Sequence, residues 1–158
     1  VDTLVPFEPP AMRYLPDGQV WLRFFTEVYE LYRRSGVEPA LDLFRSRAFA
    51  EIDRQAMARA MSPNRRDQAR ANAVHWFEHE LRQYPAAVLD WDALAAHAER
   101  VLPAAGTESR GYPAHQAALE VSTRLDRQLT ELPGGHLGCM THAAEFAVTL
   151  MRVLEASR

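Results

Sequence analysis

Glu131-Leu132-Pro133-Gly134-Gly135-His136-Leu137-Gly138, followed by Thr141-His142-Ala143-Ala144-Glu145-Phe146, is the stretch on which the fold turns. Leu129-Thr130-Glu131-Leu132 reads as a brief strand, and Pro133-Gly134-Gly135 forces the chain to turn where it ends. Over 143–156, Phe146, Leu150, Val153 and Leu154 recur at helical spacing. Glu145 in the first turn and Arg152 in the last complement the helix dipole. A strand, a glycine-rich turn and a helix together carry His136 to the C-terminal edge of a sheet, where open α/β folds keep their sites.

Working back towards the N-terminus, Pro113 suits the start of a helix with Ala117, Val121 and Leu125 inward. Before it, Val101-Leu102-Pro103-Ala104-Ala105-Gly106 reads as a buried strand and 107–112 as a polar loop. Residues 17–98 carry no strand signal. Asp17 is placed to cap a helix that ends at Gly36, with Val20, Trp21, Phe24, Val28, Leu31 and Tyr32 on its apolar face. A second helix is expected from about Pro39 to Met61, carrying Leu41, Phe44, Phe49, Ile52 and Met57. Ser62-Pro63-Asn64 then opens a third helix that reaches about Tyr84, with Ala69, Ala73, Trp76, Phe77 and Leu81 inward and Pro85 as its stop. A shorter one is expected over 92–98. The opening Val1-Asp2-Thr3-Leu4-Val5-Pro6-Phe7 reads as a strand entered part-way along.

Strand, helical insert, strand, helix, strand, helix is the order of a parallel α/β sheet with a large insertion. Residues 1–16 and 99–158 are therefore expected to form the α/β core and residues 17–98 a helical cap. Three short parallel strands leave edges exposed, so more sheet is expected from elsewhere.

Composition narrows the function. The 158 residues suit one packed domain. The 18 cationic side chains are all arginine, dispersed among 21 acidic ones for a net charge of −3. No basic patch for nucleic acid or a membrane surface follows. Without lysine, Schiff-base chemistry is excluded. One cysteine, Cys139, cannot form an internal disulfide, and neither an apolar run of membrane-spanning length nor a signal-peptide pattern is present. A cytoplasmic location is the expectation.

The segment from Glu131 to Phe146 resembles the terminal loop of α/β-hydrolases, where a strand, a histidine and a closing helix follow one another. The likeness extends through 100–111, similar to the preceding strand and its acid-bearing turn, and back through the helical block. The resemblance implies a hydrolase acting on an ester, lactone or similar apolar acyl substrate, without a cofactor. It implies His136 as the catalytic base, with Glu108 as the carboxylate that orients it and Glu8, just after the first strand, as the alternative acid. Trp21, Phe25, Trp76 and Phe77 are the aromatic candidates for lining the cap side of the substrate pocket.

The family's Gly-x-Ser-x-Gly nucleophile turn is not found. Ser35, Ser46, Ser62, Ser109, Ser122 and Ser157 all lack glycines two positions away on both sides. The resemblance is thus to a C-terminal half, and an N-terminal half, as a separate or cleaved polypeptide, is the expected partner and source of the nucleophile. A homodimer is a further open assembly. Two other readings stand beside this one. A hydrolase remnant without catalysis would serve as an interaction module. His75-Trp76-Phe77-Glu78-His79 also fits the His-x-x-Glu-His pattern of inverted zinc peptidases, in which His75 and His79 bind zinc and Glu78 acts as base. Cys139 stands near a helix start, and His142 is placed to buttress or cap the last helix.

Overall fold

The computed structural model describes residues 2–60 and 66–156. Val1, Met61, the Ser62-Pro63-Asn64 break and Ser157 lie outside them. Helices dominate: α1 (Gly18–Ser35), α2 (Val37–Ala48), α3 (Glu51–Ala60), α4 (Arg66–His79) and α5 (Trp91–Ala95) precede the first regular strand. Then follow β1 (Ala104–Gly106), α6 (Pro113–Arg124), β2 (Thr130–Leu132), α7 (Gly138–Thr141) and α8 (Ala143–Ala156).

β1 and β2 are parallel, with Ala104 opposite Thr130 and Gly106 opposite Leu132, and α6 is their crossover. Expectation and structure part at the first strand. Residues 2–7 meet the sheet through two parallel bridges, Leu4 to Val101 and Phe7 to Ala104, and not as a regular strand. Proline is the reason: Pro6 and Pro103 have no N–H and join the sheet through their carbonyls alone, Pro6 accepting from Ala104 and Pro103 from Thr130. Because Ala104 is engaged on both sides, β1 lies in the middle.

α1 ends as its sequence dictates. Gly36 takes φ +88°, and its N–H reaches the Tyr32 carbonyl at 2.8 Å. Asp17 occupies the N-cap position without a side-chain capping bond. The single helix expected over 39–61 is two. Phe49 is extended (φ −131°, ψ 149°) between α2 and α3, which turns its ring onto Phe44, centroids 5.2 Å apart. Aromatic burial outweighs helix continuity there. α4 likewise stops at His79, five residues short of Tyr84. The amides of Glu80 and Leu81 both turn back to the Trp76 carbonyl, and Leu81 drops into the core, 1% exposed.

One hydrophobic cluster joins the helical block to the sheet side. Phe24, Phe25 and Val28 of α1 pack with Phe77, Val101, Ala117, Val121 and Leu125. Burial of this cluster is the main favourable term in folding. Arginine side chains lie over its aromatic margin, Arg47 above Phe24 and Arg82 above Tyr29, at 4.6 and 3.6 Å from the ring centres.

Candidate active site

The turn after β2 sets the position of His136. Gly134 has φ +85°, a conformation in which a side chain would be strained. Gly135 is required for space, since a Cβ there would run into the carboxylate of Asp53. The chain then enters α7 and α8, with Phe146 set edge-on to Phe7 at 5.3 Å.

The imidazole meets Glu8. Nδ1 of His136 lies 2.8 Å from Oε2 of Glu8. The carboxylate is fully buried, whereas the histidine side chain is about one-third exposed (32%). Glu8 has φ +44°, uncommon for a non-glycine residue, and is locked there by several bonds. Its own N–H donates to the Ala104 carbonyl at 2.8 Å, while Oε1 accepts the Gly106 amide at 2.9 Å and the Ser109 hydroxyl. Burial pushes the Glu8 carboxyl up, but the bonds with His136, Ser109 and Gly106 outweigh it and hold the group below the ordinary glutamate range.

Glu108, the acid favoured from sequence, is engaged elsewhere. Its carboxylate is exposed and pairs with Nε2 of His142 at 3.4 Å. This placement follows from the turn of backbone over Thr107–Ser109, which directs Ser109 inward and Glu108 outward. His142 is held on its other face by Thr141, whose Oγ1 lies 3.0 Å from Nδ1. Cys139 is exposed.

Phe49 and Phe7 flank the His136 ring at 5.1 and 6.5 Å. Beside it opens a cavity of about 350 Å³, walled by Phe25, Phe44, Phe49, Met57 and Trp76, with Glu8 and His136 at its edge. Of the four aromatic residues expected to line a pocket, Phe25 and Trp76 do. Trp21 and Phe77 do not: Phe77 is fully buried and stacked on Tyr32 at 4.4 Å, and Trp21 packs against Phe24. Their positions satisfy helical periodicity, which cannot distinguish a core wall from a cavity wall. A larger open depression of about 640 Å³, bounded by Leu4, Val88 and His97, shares no residue with this cavity.

Sequence reading missed Asp53. It is completely buried, and its carboxylate accepts the backbone amides of His136 at 3.0 Å and Leu137 at 2.8 Å. The one signal was indirect: two adjacent glycines where the turn needs positive φ at only the first.

The His-x-x-Glu-His segment is built differently from a zinc site. The rings of His75 and His79 lie 4.8 Å apart, but Glu78 accepts a hydrogen bond from Tyr29 and pairs with Arg33. Among the described residues no three His, Cys, Asp or Glu side chains are grouped so as to hold a metal ion.

A buried acid holding a partly exposed imidazole beside an apolar cavity is an arrangement suited to moving a proton. No family model matches the chain. Over 91 residues, 55% of its length, it is 28% identical to an uncharacterized hydrolase, YraK, of Bacillus subtilis (strain 168). The chain is similar to a hydrolase. The aligned part is 34% of YraK, so the chain spans about a third of that relative. No helix among the described residues is long and apolar enough to cross a membrane.

Proposed function

We propose that this chain is the histidine-bearing part of an α/β-fold serine hydrolase, with an ester, lactone or similar apolar acyl compound as substrate. The observation that carries the reading is the bond between buried Glu8 and Nδ1 of His136. An acid in that place fixes the tautomer in which Nδ1 bears the proton and Nε2 is free to accept one, and it stabilises the imidazolium that forms.

In this mechanism Nε2 of His136 takes the proton of a nucleophile as it attacks the acyl carbon, and later gives it to the leaving group. Among the described residues no hydrogen bond reaches Nε2; the bond that His136 makes through its ring is at Nδ1. In this reading the nucleophile and the oxyanion-binding amides come from an N-terminal half of the same hydrolase. The helical block is the cap, and Phe25, Phe44 and Trp76 hold the apolar side of the substrate.

The test is a fluorophosphonate probe applied to the intact protein together with whatever polypeptide accompanies it. A labelled serine outside these 158 residues, with labelling abolished in His136→Ala and in Glu8→Ala but kept in Glu108→Ala, is the expected result. Labelling indifferent to His136 would overturn the proposal.

A further inference from the structure

Only two carboxylates are fully buried among the described residues, Glu8 and Asp53, and both engage His136. Glu8 holds the ring. Asp53 holds the backbone, each oxygen accepting one of two successive amides, His136 and Leu137. A carboxyl group is costly to bury, and two hydrogen bonds from adjacent N–H groups are what offset that cost here. Asp53 belongs to the first turn of α3, in the helical block, while the amides belong to the turn after β2, 83 residues away. The same helix contributes Met57 to the cavity wall, and Phe49 stands just before it.

We propose that Asp53 is a positioning residue for His136, tying the seating of α3 over the cavity to the attitude of the imidazole. The bond at the His136 amide fixes the backbone from which the ring projects, and the bond at Leu137 prevents that peptide from rotating. Displacing α3 moves the anchor, and with it the ring that must point Nε2 at the reacting group. The catalytic consequence rests on the hydrolase reading above; the structural consequence does not.

The experiments use the intact protein. Hydrogen exchange in the wild type is expected to show the His136 and Leu137 amides protected by about 100-fold or more over an open loop. Exchange at open-loop rates would overturn the proposal by itself. Asp53→Asn keeps the shape but sets an NH₂ group against one of the two amides. It is expected to abolish or shift the proton NMR signal of the Nδ1–H facing Glu8, and to lower kcat about tenfold or more with KM changed less than about twofold. A folded Asp53→Asn protein with the wild-type ring signal and kcat, whatever its melting temperature, shows loop support alone and sinks the idea. Should that variant fail to fold, Gly135→Ala tests the same anchor by placing a methyl group where the carboxylate sits; an unchanged ring signal then counts against the proposal. If the wild type hydrolyses nothing, the hydrolase reading fails, but exchange and the ring signal still decide the role of Asp53.

Discussion

Ser109 and Gly106 donate to one oxygen of Glu8, leaving the other oxygen to His136. The carboxylate is thus saturated on the side facing the sheet and presents a single defined lone-pair direction to the imidazole. Such an acid is held in place by its own hydrogen bonds, which is the preorganisation that the proposed proton transfer requires.

Replacing Glu8 by glutamine should therefore be severe although the shape is kept. The amide no longer stabilises the imidazolium and can favour the wrong tautomer. We expect kcat of the intact enzyme to fall about 10⁴-fold, the scale of such an acid-to-amide change in a serine-hydrolase triad. Glu108→Gln should leave kcat within about twofold, because its exposed pair with His142 is worth under about 1 kcal/mol. Steady-state kinetics on a chromogenic ester would check both.

Glu8 also makes stability depend on pH. Its carboxyl is held below the ordinary range in the fold, so the unfolded chain binds the proton more readily. The sign follows: the contribution is full above the unfolded value, near 4.3 for glutamate, and is lost as pH falls through the lower, folded value. Urea midpoints measured from pH 7 down to pH 3 should decline in the wild type, and less steeply in Glu8→Gln.

Ser109→Ala removes one donor from the same carboxylate. Leaving a buried oxygen short of a partner costs about 1–3 kcal/mol, and the Glu8 carboxyl should move up towards its usual value. Chemical denaturation and a carbon-13 titration of the Glu8 carboxyl provide the two readouts. An unchanged titration would contradict the bonding described.

Aromatic residues on the two sides of the cavity wall should separate in their effects. Trp76→Ala enlarges the cavity and is expected to shift preference towards longer acyl chains by about tenfold in kcat/KM, whereas Phe77→Ala, deep in the core, should cost about 3–5 kcal/mol of stability and leave chain-length preference alone. An ester series of increasing length, alongside melting curves, distinguishes them.

How much of this could be read in advance depended on how local the cause was. The turn at Gly134 and the closing helix α8 were legible because the residues that dictate them are adjacent, whereas the short α7 between them was not expected. The end of α1 at Gly36 was legible for the same reason. Phe49 was not, since an aromatic at a helical position carries no mark of the His136 ring it will meet across the fold. Glu108 was favoured over Glu8 because both follow strand-like segments and nothing local marks that Ser109 turns inward, Glu108 outward and Glu8 towards the imidazole. Asp53 was invisible: an acid in the first turn of a helix is ordinary, and its partners lie 83 and 84 residues further along.

The single tether of His136, beside the rings of Phe7 and Phe49, carries a last consequence. An imidazole bonded through Nδ1 to a buried carboxylate cannot turn over about its Cβ–Cγ bond without giving up that tether. While the tether holds, a hydrogen collected on the open edge would leave by that same edge, so in the proposed reaction collection and delivery share one doorway.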